Sequence, residues 1–259
     1  MKLSIVPART GVQWVKAGVR IFLRQPLALA GLFFTFTAVM SVLGLLPVVG
    51  SVLALALLPG ATLGFMAATE QASKGKFPMP TVLISAFRAG KQQLRAVLVL
   101  GGLYAAGFLL VLALSATMDG GKFARLYLVG GAMSAEVLQD PDFQKAVLLA
   151  MLCYTPLSML FWHAPALVYW HGVAPVKSLF FSGIACKRNF WAYAMYGLVW
   201  IGMFLGMGMA VAVVATIAGI PEAVGDLMRP AAMLMAAMFF TSIYPTFRDS
   251  FEPAEADMP

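Results

Sequence analysis

The residues best suited to chemistry fall close together. Segment 160–196, LFWHAPALVYWHGVAPVKSLFFSGIACKRNFWAYAMY, holds both histidines of the chain, His163 and His171, together with Ser182, Cys186 and three tryptophans. Met159 and His163 are four residues apart and share a helix face. With Cys153 further out they form a soft-donor set of the kind that suits copper. The set does not close: no CxxC or HxxxH pattern converges on it, and two cysteines make neither a disulfide framework nor a multi-cysteine metal site. No metal and no cofactor are therefore expected, Met159 and His163 being the nearest approach to a ligand pair. Ser182 with a histidine would be the start of a hydrolase, but the chain has no GxSxG, HExxH or GxxxxGK[ST] motif. The expectation is a protein that is not an enzyme.

The elements that position these residues are dictated by composition. Of 259 residues 61% are hydrophobic and 11% charged, with a mean hydropathy of +0.86, against about 25% charged in soluble domains. Lipid must be the solvent. Residues 25–69 carry no charge, too long a run for one crossing of about 20 residues, and Pro47 between Gly44 and Gly50 supplies a turn. The spans expected are 27–46, 48–69, 96–117, 141–170, 190–217 and 230–247, the last the shortest, with Pro245 fraying its end. The fourth starts at Asp140–Pro141–Asp142, an N-cap followed by a proline at the first helical position. Pro156 and Pro165 lie inside it. They imply either a bent helix lining a cavity with Tyr154, Thr155, Ser158 and His163, or a static kink that helps packing. GATLG (60–64) and GMFLG (202–206) mark close packing inside the bundle.

Charge sets the orientation. Fourteen of the 18 Lys and Arg fall in the N-terminal segment, the 70–95 and 171–189 connections and the C-terminal tail; only Lys122, Arg125, Lys145 and Arg229 fall on the other side. The positive-inside rule places both termini in the cytoplasm. The net charge of +7 is read as affinity for an anionic lipid face and not for nucleic acid. No Asp, Glu, Lys or Arg sits mid-span, which argues against an ion-coupled carrier.

Three cytoplasmic segments share a pattern: a basic residue, two mostly polar residues, then an apolar span, with Arg24, Lys91 and Lys187 in equivalent places. Each segment is amphipathic, and such helices lie in the interface plane with the apolar face in lipid. Their cations Lys16, Arg20, Arg24, Arg88, Lys91, Arg95, Lys177, Lys187 and Arg188 would meet lipid headgroups. The fold expected is all-α and polytopic: six transmembrane helices as three hairpins, each preceded by an amphipathic interfacial helix. Residues 1–248 would form one transmembrane domain with repeat units of about 8–69, 80–170 and 175–247, and 249–259 an acidic disordered tail. In the outer loop, paired glycines at 120–121 and 130–131 bracket a short apolar run that could cap the bundle and offer a partner site.

The blocks FWHAPALVYWH and KSLFFSGIACKRN, with the N-terminal WVKAGVRIFLRQPL, are similar to a proteobacterial six-helix inner-membrane protein family with no known activity. The residues that carry the resemblance are Trp162, Ala164, Pro165, Trp170, His171, Lys177, Ser178, Ser182, Cys186 and Asn189. It implies a multi-pass protein of the bacterial inner membrane and brings no activity with it. Two readings of function follow. One is a non-enzymatic accessory or scaffolding subunit that binds anionic lipid of the cytoplasmic leaflet and other membrane proteins, within a larger complex. The other is a transporter or lipid-handling protein with a cavity between the hairpins.

Overall fold

The computed structural model describes residues 2–131 and 134–251. Among them there is no strand. The helices are α1 (Thr10–Arg24), α2 (Pro26–Gly44), α3 (Val49–Ser73), α4 (Ser85–Arg88), α5 (Lys91–Asp119), α6 (Lys122–Val129), α7 (Ala135–Gln139), α8 (Pro141–Phe161), α9 (Ala164–His171), α10 (Pro175–Arg188), α11 (Phe190–Ile217) and α12 (Val224–Phe251), with 3₁₀ turns at Pro80–Ile84 and Pro221–Ala223. Six stretches are long and apolar enough to cross a membrane: α2, α3, α5, α8 through α9, α11 and α12.

Local chemistry explains the boundaries. Asp140 accepts the Asp142 N–H at 3.0 Å and Pro141 follows it, opening α8 where the sequence predicts. At the other end of α9, Gly172 takes φ 62°, its N–H bonds to Val168, and the Val173 N–H reaches back to Leu167. That αL closure uses the left-handed conformation glycine tolerates, and Pro175 then starts α10. Between α5 and α6, Asp119 accepts the N–H groups of Gly121 and Phe123 at 2.8 and 2.7 Å while Gly120 and Gly121 take positive φ. The glycine pairs thus bracket α6, which packs on α5 and α8.

Several expectations change. The second amphipathic helix is not continuous: residues 80–88 form a 3₁₀ turn and the single turn α4, and the chain breaks at Gly90, φ 112°. Lys91 and Arg95 consequently sit on the first turn or so of the long span α5. The fourth span is split at Trp162–His163 into α8 and α9, with Pro165 in the first turn of α9 instead of mid-helix. The sixth span is not the shortest. It runs 28 residues, through Pro245 to Phe251. The tail expected from 249 therefore loses its first three residues to α12, Phe251 being buried; 252–259 lie outside the described residues.

The contacts of the described residues separate into two compact units, whose borders differ from the repeat boundaries: residues 2–35, 64–83 and 185–251, and residues 36–63, 84–131 and 134–184. In the first, α1 packs on α11 and α12. Trp14, Val15, Ile21 and Phe22 are buried there, so protein, not lipid, covers this apolar face. Glycines allow the approach. A Cβ at Gly11 would meet the Ala192 carbonyl oxygen at 2.1 Å, and one at Gly18 would meet Ser242 Cβ at 2.3 Å. Trp14 Nε1 donates to Asp249 at 3.0 Å, and its ring lies against Tyr193. In the second unit, Leu55, Leu100, Tyr104, Ala105, Phe161, Ala164 and Val168 form a core beneath α5 and α9.

Candidate functional site

The break between α8 and α9 is built from the residues that first suggested chemistry. In an unbroken helix the His163 N–H would bond to the Met159 carbonyl. Here a hydroxyl from α10 stands between them. The His163 N–H donates to Ser182 Oγ at 3.0 Å, and Ser182 Oγ donates to the Met159 carbonyl at 2.7 Å. A side chain inserted into the helical ladder is a recognised cause of a kink. Both His163 and Ser182 are fully buried. The serine proton is engaged by a backbone carbonyl, so the pair is a structural splice.

The other suspected cavity residues do not converge. Tyr154 Oη lies 3.3 Å from Tyr104 Oη. The Thr155 and Ser158 hydroxyls donate to carbonyls of their own helix, at Met151 and Thr155. Pro165 is buried.

The cations differ sharply by location. Lys16, Arg20, Arg24, Arg88, Lys91, Arg95, Lys177, Lys187 and Arg188 are all exposed, and among the described residues none forms an ion pair or a hydrogen bond. Three of the four cations on the opposite connections are paired locally: Lys122 with Asp140, Lys145 with Asp142, Arg229 with Asp226. The Lys122 ammonium holds Asp140 below its usual range, and Asp140 in turn raises Lys122. Burial drives the Cys186 thiol on α10 up to about 12, so it stays protonated at neutral pH.

Two open grooves take in some of the unpaired cations. One, about 680 Å³, has Lys16, Arg20 and Arg24 along α1 beside Val199 and Met203 of α11. The other, about 650 Å³, lies between the start of α5 and the α9–α10 turn and includes Arg95 and Lys177. None of Tyr154, Thr155, Ser158, His163 or Pro165 lines either groove.

A Burkholderia thailandensis protein named a probable inner membrane protein is 40% identical to this chain over 262 residues, spanning 100% of this chain and 97% of the relative. The chain belongs to that family of inner-membrane proteins. No protein-family model and no solved structure matches it. A multi-pass inner-membrane protein exposes its apolar side chains to lipid, which accounts for Leu27 at 88% and Ile217 at 82% exposure on helices long enough to span.

Membership also puts the glycine motifs in context. GATLG does pack closely: a Cβ at Gly60 would meet the Phe87 ring at 2.6 Å, and one at Gly64 the Leu83 Cα at 2.7 Å. GMFLG does not. Gly202 and Gly206 have open space around them, so this inner-membrane protein leaves that face of α11 uncovered and not packed inside a bundle. Sequence reasoning missed two contacts. The first is the seat of α1, signalled by Gly11 and Gly18 seven residues apart with Trp14 between them. The second is Asn189. It is buried, accepts the Val6 N–H at 2.9 Å and donates to the Ser4 carbonyl at 3.0 Å, which ties residues 4–6 to the start of α11.

Proposed function

We propose that this inner-membrane protein is a non-enzymatic accessory or scaffolding subunit, with both termini in the cytoplasm, that gathers anionic lipid under its basic face and contacts other membrane proteins. The observation that carries the reading is the division of the cations. Of the fourteen on the segments assigned to the cytoplasmic side, nine are exposed and unpaired and two, Lys74 and Arg248, are paired with Glu70 and Asp249, whereas three of the four on the other side are neutralised by neighbouring carboxylates. An unpaired Lys or Arg near an anionic leaflet contributes on the order of 1 kcal/mol, whereas a cation already paired to a carboxylate has little left to offer. Membrane-bound partners are supported by the uncovered Gly202 and Gly206 face of α11. The transporter alternative has less behind it, because the residues it would need around a cavity at Pro165 point their hydroxyls into their own helix or into Tyr104.

Extraction of the full chain in polymer-bounded membrane discs tests the reading. Phosphatidylglycerol and cardiolipin should be enriched over bulk membrane, and a second membrane protein should co-purify in fixed stoichiometry. Lipid in bulk proportion with no partner would contradict it.

A further inference from the structure

We propose that the groove between the first turns of α5 and α10 is a specific site for one anionic phospholipid, the headgroup phosphate held by Arg95 and Lys177 and an acyl chain running down α5 over Val99. The inference rests on the lipid-gathering reading and gives it an address.

Four observations meet at this groove. Its lining takes in the first turns of two helices, α5 from Gln92 and α10 from Pro175, so the positive ends of two helix dipoles lie beside one space. Neither first turn carries an acidic residue, and Gly90 at the α5 N-cap offers no side-chain acceptor. Arg95 and Lys177 add two full charges that no protein group neutralises among the described residues, Gln92 and Gln93 add amide donors, and no carboxylate lines the groove. The rest of the lining is apolar, Val168 and Val173 among it.

The geometry favours a lipid over a free anion. Val99 stands four residues below Arg95 on α5, hence on the same face, and it is 42% exposed. A headgroup on Arg95 therefore continues into apolar surface on a helix long enough to span, and not into water. The volume, about 650 Å³, lies within the roughly 300–1,000 Å³ of small-ligand sites.

Native mass spectrometry of the full chain, washed in mild detergent and offered equal phosphatidylglycerol and phosphatidylcholine, tests the site. One phosphatidylglycerol per chain should be retained in preference to phosphatidylcholine. Arg95→Gln with Lys177→Gln should lower its affinity on the order of 30-fold. Lys187→Gln with Arg188→Gln, an equal charge loss outside the groove, should retain it. Val99→Trp, which fills the groove and leaves every charge, should also lose the lipid while keeping wild-type helicity by circular dichroism. Equal retention of the two lipids, equal loss in both charge pairs, or displacement by excess inorganic phosphate would overturn the proposal. Should bulk anionic enrichment in polymer discs persist when detergent-washed protein holds no lipid, the groove is wrong and the broader reading stands; absent enrichment removes the broader reading itself.

Discussion

At the scale of single residues, Ser182 has a structural task. It completes a hydrogen-bond path from the Met159 carbonyl to the His163 N–H across a helix break. Ser182→Ala leaves two buried backbone groups without that bridge and should destabilise the protein by about 2 kcal/mol, read from denaturant or thermal unfolding in detergent. Asn189→Ala removes both bonds to the N-terminal segment. It should cost about 1–3 kcal/mol and quicken trypsin cleavage at Arg9. The glycines separate in the same assay. Gly18→Ala forces a Cβ into Ser242 and should cost about 1–3 kcal/mol, while Gly202→Ala enters open space and should stay within about 0.5 kcal/mol of wild type. The sequence placed Ser182, His163 and Pro165 in one short block, and the Pro165 break was legible there. The partner across the break was not, because Ser182 follows His163 by 19 residues and reaches it only through the Gly172–Pro175 turn.

At the scale of elements, hydropathy locates all six candidate spans but bounds them unevenly. Span 190–217 coincides with α11, and the Asp140–Pro141–Asp142 start coincides with that of α8. It reads poorly where amphipathicity has two explanations. The apolar stripe of α1 fits a lipid interface and fits a protein groove equally well; only the glycines at 11 and 18 distinguish them, by permitting backbone contact with α11 and α12. The stripe over 81–95 has the same ambiguity, and there the left-handed Gly90 ends one element and begins another. The joint between α6 and α8 makes a pH prediction. Asp140 is depressed by Lys122, so its contribution to stability is present above the ordinary carboxylate range and is lost as pH falls through its lowered value. Lys122 is raised, so its contribution is present below the ordinary ammonium value and is lost as pH climbs through the raised one. The difference in melting temperature between wild type and Lys122→Gln should thus be flat from about pH 5 to 9 and shrink below about pH 4.

At the scale of the whole molecule, the decisive property is how charge is distributed. The chain keeps ionic groups out of the middle of its six candidate spans. It pairs three of the four cations on one set of connections and leaves nine of the fourteen on the other bare, Lys74 and Arg248 being paired there. On the proposed reading an anionic leaflet supplies the counter-charge for that surface, and the positive-inside rule would assign it to the cytoplasm. The most direct check is topological: fluorescent-protein and alkaline-phosphatase fusions at the N-terminus, at the C-terminus and at Gly130 in the α6–α7 connection. Fluorescence at both ends with phosphatase activity only at Gly130 is the predicted result. Ends in opposite compartments, or an active phosphatase at either terminus, would contradict the account.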